Sequence, residues 1–370
     1  MRLGAEFSGR KAIAERAISP KVAMGLGFQA MKASIIVPTL NRSISLRKTL
    51  SSITLQTFPA EQFEIIVVDN GSADGTRETI EAVIESHPRY QIRYVYEPER
   101  GLLAGRHRGV LEAIGELLIF IDDDIEADSG WLRAIVSGFD DVKVQLIGGR
   151  NLPRYEVDPP AWIESFWDTT GQGGRLCWFL SLTDLGEKKL HIKPSCIWGL
   201  NFSIRRHAFY DLGGFHPDSV PEHLQHFDGD GESGLAMAAE ARGTLALYEP
   251  AAIVYHFIPA SRMTLEYFER RAFVQGIRDS YSEVRRNRGP SIALLAEIRR
   301  VTNRVIRRAK SLGRAGTIVG PEEGIILEMH KRVADAHRAG FEYHQRAIRA
   351  DPQVMEWVLR PHYWDYRLPR

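Results

Sequence analysis

Residues 116–124 read ELLIFIDDD. A short, wholly apolar run that stops abruptly at charge marks a strand buried on both faces, since hydrocarbon must cover each side until the sheet ends. Asp122, Asp123 and Asp124 are therefore expected at a sheet edge rather than on a surface loop. Upstream the same texture repeats in SIIVP (34–38), FEIIVVD (63–69) and IRYVYE (92–97). Helical patterns separate these runs. Leu46, Leu50 and Ile53 recur at helix spacing behind Asn41 and Ser43, Asp74 caps a helix from Thr76 to Ile84, and another helix starts at Leu102 and reaches Ile114. Such alternation predicts βαβ units and a Rossmann-like, mostly parallel α/β sheet with flanking helices. Ligands of these sheets sit beyond the carboxyl ends of the strands, where the strand order reverses. Three of those ends carry polar groups: Thr39 with Asn41, Asp69 with Ser72, and the aspartate trio.

The 370 residues, 44% apolar and 26% charged, allow one large α/β domain plus an addition, or two ordinary domains. A formal net charge of +1 gives no global field toward nucleic acid, and none is expected as a partner. Cys177 and Cys196 make neither a disulfide framework nor a zinc set; two reduced thiols or one bridge are the readings. No run approaches the roughly 18 apolar residues of a membrane helix. Residues 1–30 carry basic side chains but no signal-peptide core, so the chain reads as cytoplasmic behind an N-terminal arm. After residue 150 the pattern loosens, and Trp162, Trp167 and Trp178 fall among glycines and prolines. That stretch reads as a binding loop system or as irregular packing.

Three aspartates in a row repel one another unless a positive charge sits between them. Mg²⁺ or Mn²⁺ prefers carboxylate oxygen and bridges to substrate phosphates; a solvated acidic turn is the competing explanation. Asp69 ends a buried strand inside VVDNGSADGT (67–76), where it can accept from the ring N–H groups of a base or belong to an ordinary turn. Arg106, in GLLAGRHRGVLEAIGE (101–116), can rise from its helix toward the strand edge.

Together these segments resemble the family 2 glycosyltransferases, which have the GT-A fold. SIIVPTLNR is similar to that family's first strand and loop, VVDNGSADGT to its nucleotide segment, and LLIFIDDD to its metal-binding DxD strand. NFSIRRHAFYDLGGF (201–215), GDGESGLAMAAEARG (229–243) and YEPAAIVYH continue the likeness through about residue 270. The resemblance implies an inverting, nucleotide-sugar-dependent transferase of hexosyl type using Mn²⁺ or Mg²⁺. It places Pro38, Thr39, Asn41, Asp69, Gly71, Ser72, Arg106, Asp122 and Asp123 at the nucleotide sugar. Asp124 and His256 would hold the metal, and Trp198 and Asn201 would meet the acceptor. Where the family carries Glu-Asp, this chain has Gly231-Glu232, so Glu232 is the expected base and Asp230 the reserve. The donor would be a nucleotide-diphosphate sugar and the acceptor a saccharide, polysaccharide or lipid-linked saccharide.

Domain boundaries follow as an arm at 1–30, a GT-A domain at 31–270 divided near 150 into donor and acceptor halves, and a helical C-terminal extension at 271–370. Arginines crowd residues 285–310 beside an apolar stripe, which suits a solvated helix face or a contact with an anionic membrane. Two other activities fit parts of the pattern. Asp122-x-Asp124 suits an aspartyl-phosphate phosphatase, although such enzymes place it on the first strand, and a non-catalytic nucleotide-sugar binder would also tolerate the missing acid at 231. His223 and His226 lie at helical spacing without the cysteines or further histidines of a zinc site.

Overall fold

The computed structural model describes residues 31–170, 174–290 and 321–369. The N-terminal arm and residues 291–310 of the basic segment lie outside the described residues. Strands β1 (Ala33–Thr39), β2 (Phe63–Asp69), β3 (Gln91–Tyr96) and β4 (Leu117–Ile121) form a parallel block in the order β3-β2-β1-β4. β1 and β2 are buried along their whole length because both faces are covered. Ile35, Val37, Ile65 and Val67 pack with α1 (Ser43–Ile53) and α2 (Thr76–Ser86), while Ile36, Ile66 and Val68 pack with α3 (Leu102–Glu112). The period-two alternation of a strand thus splits one apolar sequence between two cores. The strand order reverses between β1 and β4, directly above which the aspartate trio emerges.

Beyond β4 the sheet becomes mixed, with antiparallel pairs and one long parallel pair. β5 (Ile125–Ala127) follows the trio, β6 (Val144–Tyr155) crosses the sheet, and β7 (Asn201–Arg205) lies between β4 and β6. Helix α4 (Glu232–Ala241) leads into the long strand β8 (Leu245–Ile258), which pairs with β6 and with β5. The register sets His256 opposite Ile125, one residue from Asp124. The irregular stretch 156–196 folds as short strands and 3-10 turns closed by the aromatic cluster of Phe166, Phe179 and Phe268. Both cysteines are free thiols.

The expected boundary at 270/271 falls inside α5 (Leu265–Asn287), a single helix that packs on the sheet domain. The expected C-terminal helical extension is present as α6 (Pro321–Ala350) and α7 (Pro352–Val358), and it packs back on the sheet domain. Val354, Trp357, Val358, Tyr363 and Tyr366 join the same core as Phe120 and Phe202. The Trp357 indole donates to the Phe227 carbonyl at 2.9 Å, and Tyr363 shares a hydroxyl contact of 2.5 Å with Tyr281 on α5. Trp364 stacks on His107 of α3 at 4.3 Å, and Tyr366 donates to the Arg100 carbonyl. The tail therefore braces α3, the helix that carries Arg106, from outside. Among the described residues no helix is long and apolar enough to cross a membrane.

Truncating a buried Trp removes packing and leaves a cavity, at about 3–5 kcal/mol. Trp357→Ala is expected to lower the thermal midpoint by at least about 5 °C. An unchanged midpoint would show that the tail does not contribute to the core.

Candidate active site

A cavity of about 740 Å³ opens at the reversal point between β1 and β4. Its walls include Pro38, Thr39, the aspartate trio, Arg106, Trp198, Glu232 and His256, brought together from both halves of the domain. Thr39 donates to Asp123 Oδ2 at 2.7 Å. Arg42 reaches Asp123 Oδ1 at 3.1 Å and Asp124 Oδ2 at 2.7 Å. Burial pushes the Asp123 carboxyl up to about 7 against the pull of Arg42. Burial acts the same way on Asp124, but His256, Arg262 and Arg42 outweigh it and hold that carboxyl well below the usual range.

Arg106 is the deepest charge of the site, with only 2% of its surface exposed. It donates to Asp122 Oδ1 at 3.2 Å and to Glu232 Oε2 at 3.3 Å, and lies 3.9 Å from Asp218 Oδ2. Glu232 Oε1 accepts the Gly199 N–H at 3.1 Å. A side chain at Gly199 would meet the Arg106 guanidinium at 2.4 Å, so only glycine lets this loop close on it. Burial would raise the Glu232 carboxyl; Arg106 and Arg278 reverse this and hold it below its ordinary value. Gly231 enters α4 at φ +55°, and a Cβ there would lie 2.9 Å from Asp218 Oδ2. Where the related motif carries an acid, this chain has a bare left-handed turn, and Asp218 brings its carboxylate against it from another loop.

The ligand chemistry beside Asp124 suits a divalent cation. His256 Nδ1 donates to the Leu180 carbonyl at 2.9 Å, which makes Nε2 the acceptor, and in this structure it accepts from Arg262. Nε2 lies 3.5 Å from Asp124 Oδ1, a buried oxygen without a hydrogen bond. Arg262 bridges the pair, 2.9 Å from His256 Nε2 and 2.8 Å from Asp124 Oδ2. Two protein ligands are few, and among the described residues no cluster of three His, Cys, Asp or Glu side chains forms. Mg²⁺ and Mn²⁺ sites of this kind complete their shell with phosphate and water oxygens.

Several expected site residues lie elsewhere. Asp230 is buried behind α4, where its oxygens take His216 Nδ1 and the Ser282 hydroxyl, each at 2.6 Å; it ties α4 to α5 and does not line the cavity. The Asn201 side chain is spent inside the sheet. It accepts from the Trp131 indole at 3.0 Å and donates to Asn151 and to the Ala252 carbonyl, so it is a core bracket rather than an acceptor contact. Asp69 accepts the Ser72 N–H and the Tyr94 hydroxyl. Asn41 and Ser72 bond across the loops that flank it, and Gly71 lies under the Arg100 guanidinium. These four shape the cavity's rim, while Leu40, Asn70 and Arg100 supply its surface there.

The sequence reading passed over Arg42, Asp218, Arg262, Arg271 and Arg278, all of which line the cavity. Arg271 and Arg278 carried a usable signal, since with Tyr267 and Gln275 they recur at helix spacing on one face of α5. Asp218 carried none, because its place depends on the three-dimensional path of residues 213–231.

This sheet, with its cavity of carboxylates and guanidinium groups at the reversal point, is a GT-A arrangement. Residues 34–213 match the family model described as Glycosyl transferase family 2, and this part of the chain is a family 2 glycosyltransferase domain. Over 191 residues the chain is 28% identical to Glycosyltransferase AglE of Haloferax volcanii, covering 52% of this chain and 56% of that one. It is 23% identical over 252 residues to the glucosyl-dolichyl phosphate glucuronosyltransferase of the same organism, covering 66% and 75%. The chain thus spans little more than half the length of AglE. The mannosyltransferase PcManGT from Pyrobaculum calidifontis, solved in complex with GDP-Man and Mn²⁺, superposes with a TM-score of 0.51 at 18% identity. That alignment covers 99% of this chain and 96% of the other, and it is a likeness of fold.

Asp218 gives a pH test of the site's electrostatics. Burial pushes its carboxyl up to about 7, opposed by Arg106 and Arg278. Since an unfolded aspartate titrates near 3.9, the folded chain holds an extra proton between about pH 4 and 7. The stability from this group is present at acid pH and lost as pH rises through 7. Asp218→Asn, which resembles the protonated form, removes that loss. From pH 5 to pH 8 the wild type is expected to fall relative to the variant by on the order of 1–2 kcal/mol; parallel melting curves at both pH values would contradict this.

Proposed function

We propose that this chain transfers a sugar from a nucleotide-diphosphate donor to an acceptor hydroxyl, with inversion at the anomeric carbon. The observation that carries the reading is the juxtaposition, in one cavity, of the Asp124–His256 pair with a charged, anchored Glu232. Asp124 and His256 would hold Mn²⁺ or Mg²⁺, which as a Lewis acid offsets the charge that develops on the departing diphosphate. The relative solved with GDP-Man and Mn²⁺ supports this part of the reading.

The chain's own groups do the rest. Pro38, Thr39 and Leu40 line the donor end with Arg100, whose guanidinium also donates to the Asn70 carbonyl at 3.2 Å. Asp122, turned into the cavity by Arg106, accepts from a hydroxyl of the donor. Glu232 takes the proton of the acceptor hydroxyl, a role in which a general base contributes about 10²–10⁴-fold. Arg106 and the Gly199 N–H keep Glu232 ionised and aimed. With Asp122 committed to Arg106 and Asp124 to the metal, Glu232 serves as the single base of an in-line displacement. Trp178 and Trp198 give the acceptor end flat apolar faces suited to sugar rings. The volume is that of a small-molecule site, generally about 300–1,000 Å³. A saccharide or lipid-linked acceptor is consistent with the dolichyl phosphate-linked substrate in the name of one relative.

Incubation with a panel of nucleotide sugars and Mn²⁺ is expected to show slow sugar release from one donor, abolished by EDTA. Glu232→Gln is expected to reduce that turnover at least about 10²-fold while nucleoside diphosphate affinity stays within twofold. Full activity in Glu232→Gln would remove the base assignment, and release of inorganic phosphate alone would point to a phosphatase.

A further inference from the structure

Helix α5 turns four polar side chains toward the cavity at intervals of four, four and three: Tyr267, Arg271, Gln275 and Arg278. Phe268, Ala272 and Ile277 on the flanking faces are fully buried. Most of the cavity's cations have acids to answer them. Arg42 and Arg262 grip Asp124, Arg106 serves Asp122 and Glu232, and Arg278 lies 3.8 Å from Asp228. Arg271 has no hydrogen bond or ion pair with any described residue, and its Nε is sealed from solvent. Burial disfavours its charge, and the neighbouring Arg278 and Arg262 add repulsion. Glu232 is the acid whose field it feels, but both Glu232 oxygens are already engaged.

A guanidinium held this way is a poor structural element and a good receptor. Its planar fork matches phosphate oxygens in a charge-assisted, bidentate bond. We infer that Arg271, flanked by Tyr267 and Arg278, binds a phosphate group carried by the acceptor close to its reactive hydroxyl. Arg271 feels the field of Glu232, and Asp124, where the glycosyltransferase reading puts the donor diphosphate, already has Arg42 and Arg262 beside it. The acceptor is thus a sugar phosphate or a phosphate-linked glycan rather than a neutral saccharide. This inference rests on the glycosyltransferase reading of the same cavity.

The test uses the full chain with Mn²⁺ and a saturating nucleoside diphosphate, which fills the donor end. Glucose 1-phosphate and methyl glucoside are then titrated, with Trp178 and Trp198 at the cavity wall providing the fluorescence signal. The phosphate is expected to bind at least about tenfold more tightly, the scale of one charge-assisted contact. Arg271→Gln should reduce the preference to within about twofold at unchanged nucleoside diphosphate affinity, and Arg271→Lys should restore part of it. Equal binding of the two probes, no binding of either, or a preference that survives Arg271→Gln overturns the inference. A phosphate preference that vanishes once nucleoside diphosphate is present overturns it too, by returning Arg271 to the donor. Failure of the nucleoside diphosphate to bind at all falls instead on the glycosyltransferase reading.

Discussion

One buried guanidinium organises the site. Arg106 rises from α3 into a place where no charge would stay unpaired, and it is stable there only because Asp122, Glu232 and Asp218 converge on it from three other segments. Removing an ion from water costs several kcal/mol, and a fork that meets carboxylates on several sides is the geometry that recovers it. The constraint works in both directions. The carboxylates fix the guanidinium, and the guanidinium fixes the aim and ionisation of the carboxylate best placed to take a proton.

The rest of the architecture reads as support for that cluster. Gly199 keeps the β7 approach loop low enough to bond Glu232, and Gly231 admits Asp218 beside the start of α4. Trp364 stacks on His107, one residue along α3 from Arg106, so the distant C-terminus stiffens the helix that carries the central charge. A second cluster at Asp124 behaves differently. Its cations, Arg42 and Arg262, are partly exposed side chains on loops. Such groups can change partners when the cavity fills, whereas Arg106 is enclosed by its carboxylates.

The sheet was legible because its signals are local. Apolar runs of strand length, ended by polar residues, gave β1 to β4, whereas His256 was paired with Asp124 only through the family resemblance. Side chains whose work depends on neighbours far along the chain were not legible. Asn201 and Asp230 have the chemistry of site residues, yet Trp131 and His216 claim them, and nothing in spacing announces those partners. Asp69, Asn41 and Ser72 bond one another across two loops and so become framework. The boundary placed at 270/271 cuts α5, since the strand pattern ends near there while Arg271 and Arg278 of the same helix line the cavity.

The role of Arg106 is tested most directly by the pH profile of kcat/KM for sugar release from the donor, measured for wild type and for Arg106→Gln with folding verified by near-UV circular dichroism. Its cation depresses the Glu232 pKa, so its loss should raise the acid limb by about one pH unit or more. An acid limb at the wild-type pH in a folded Arg106→Gln protein would contradict the coupling on which the site is built.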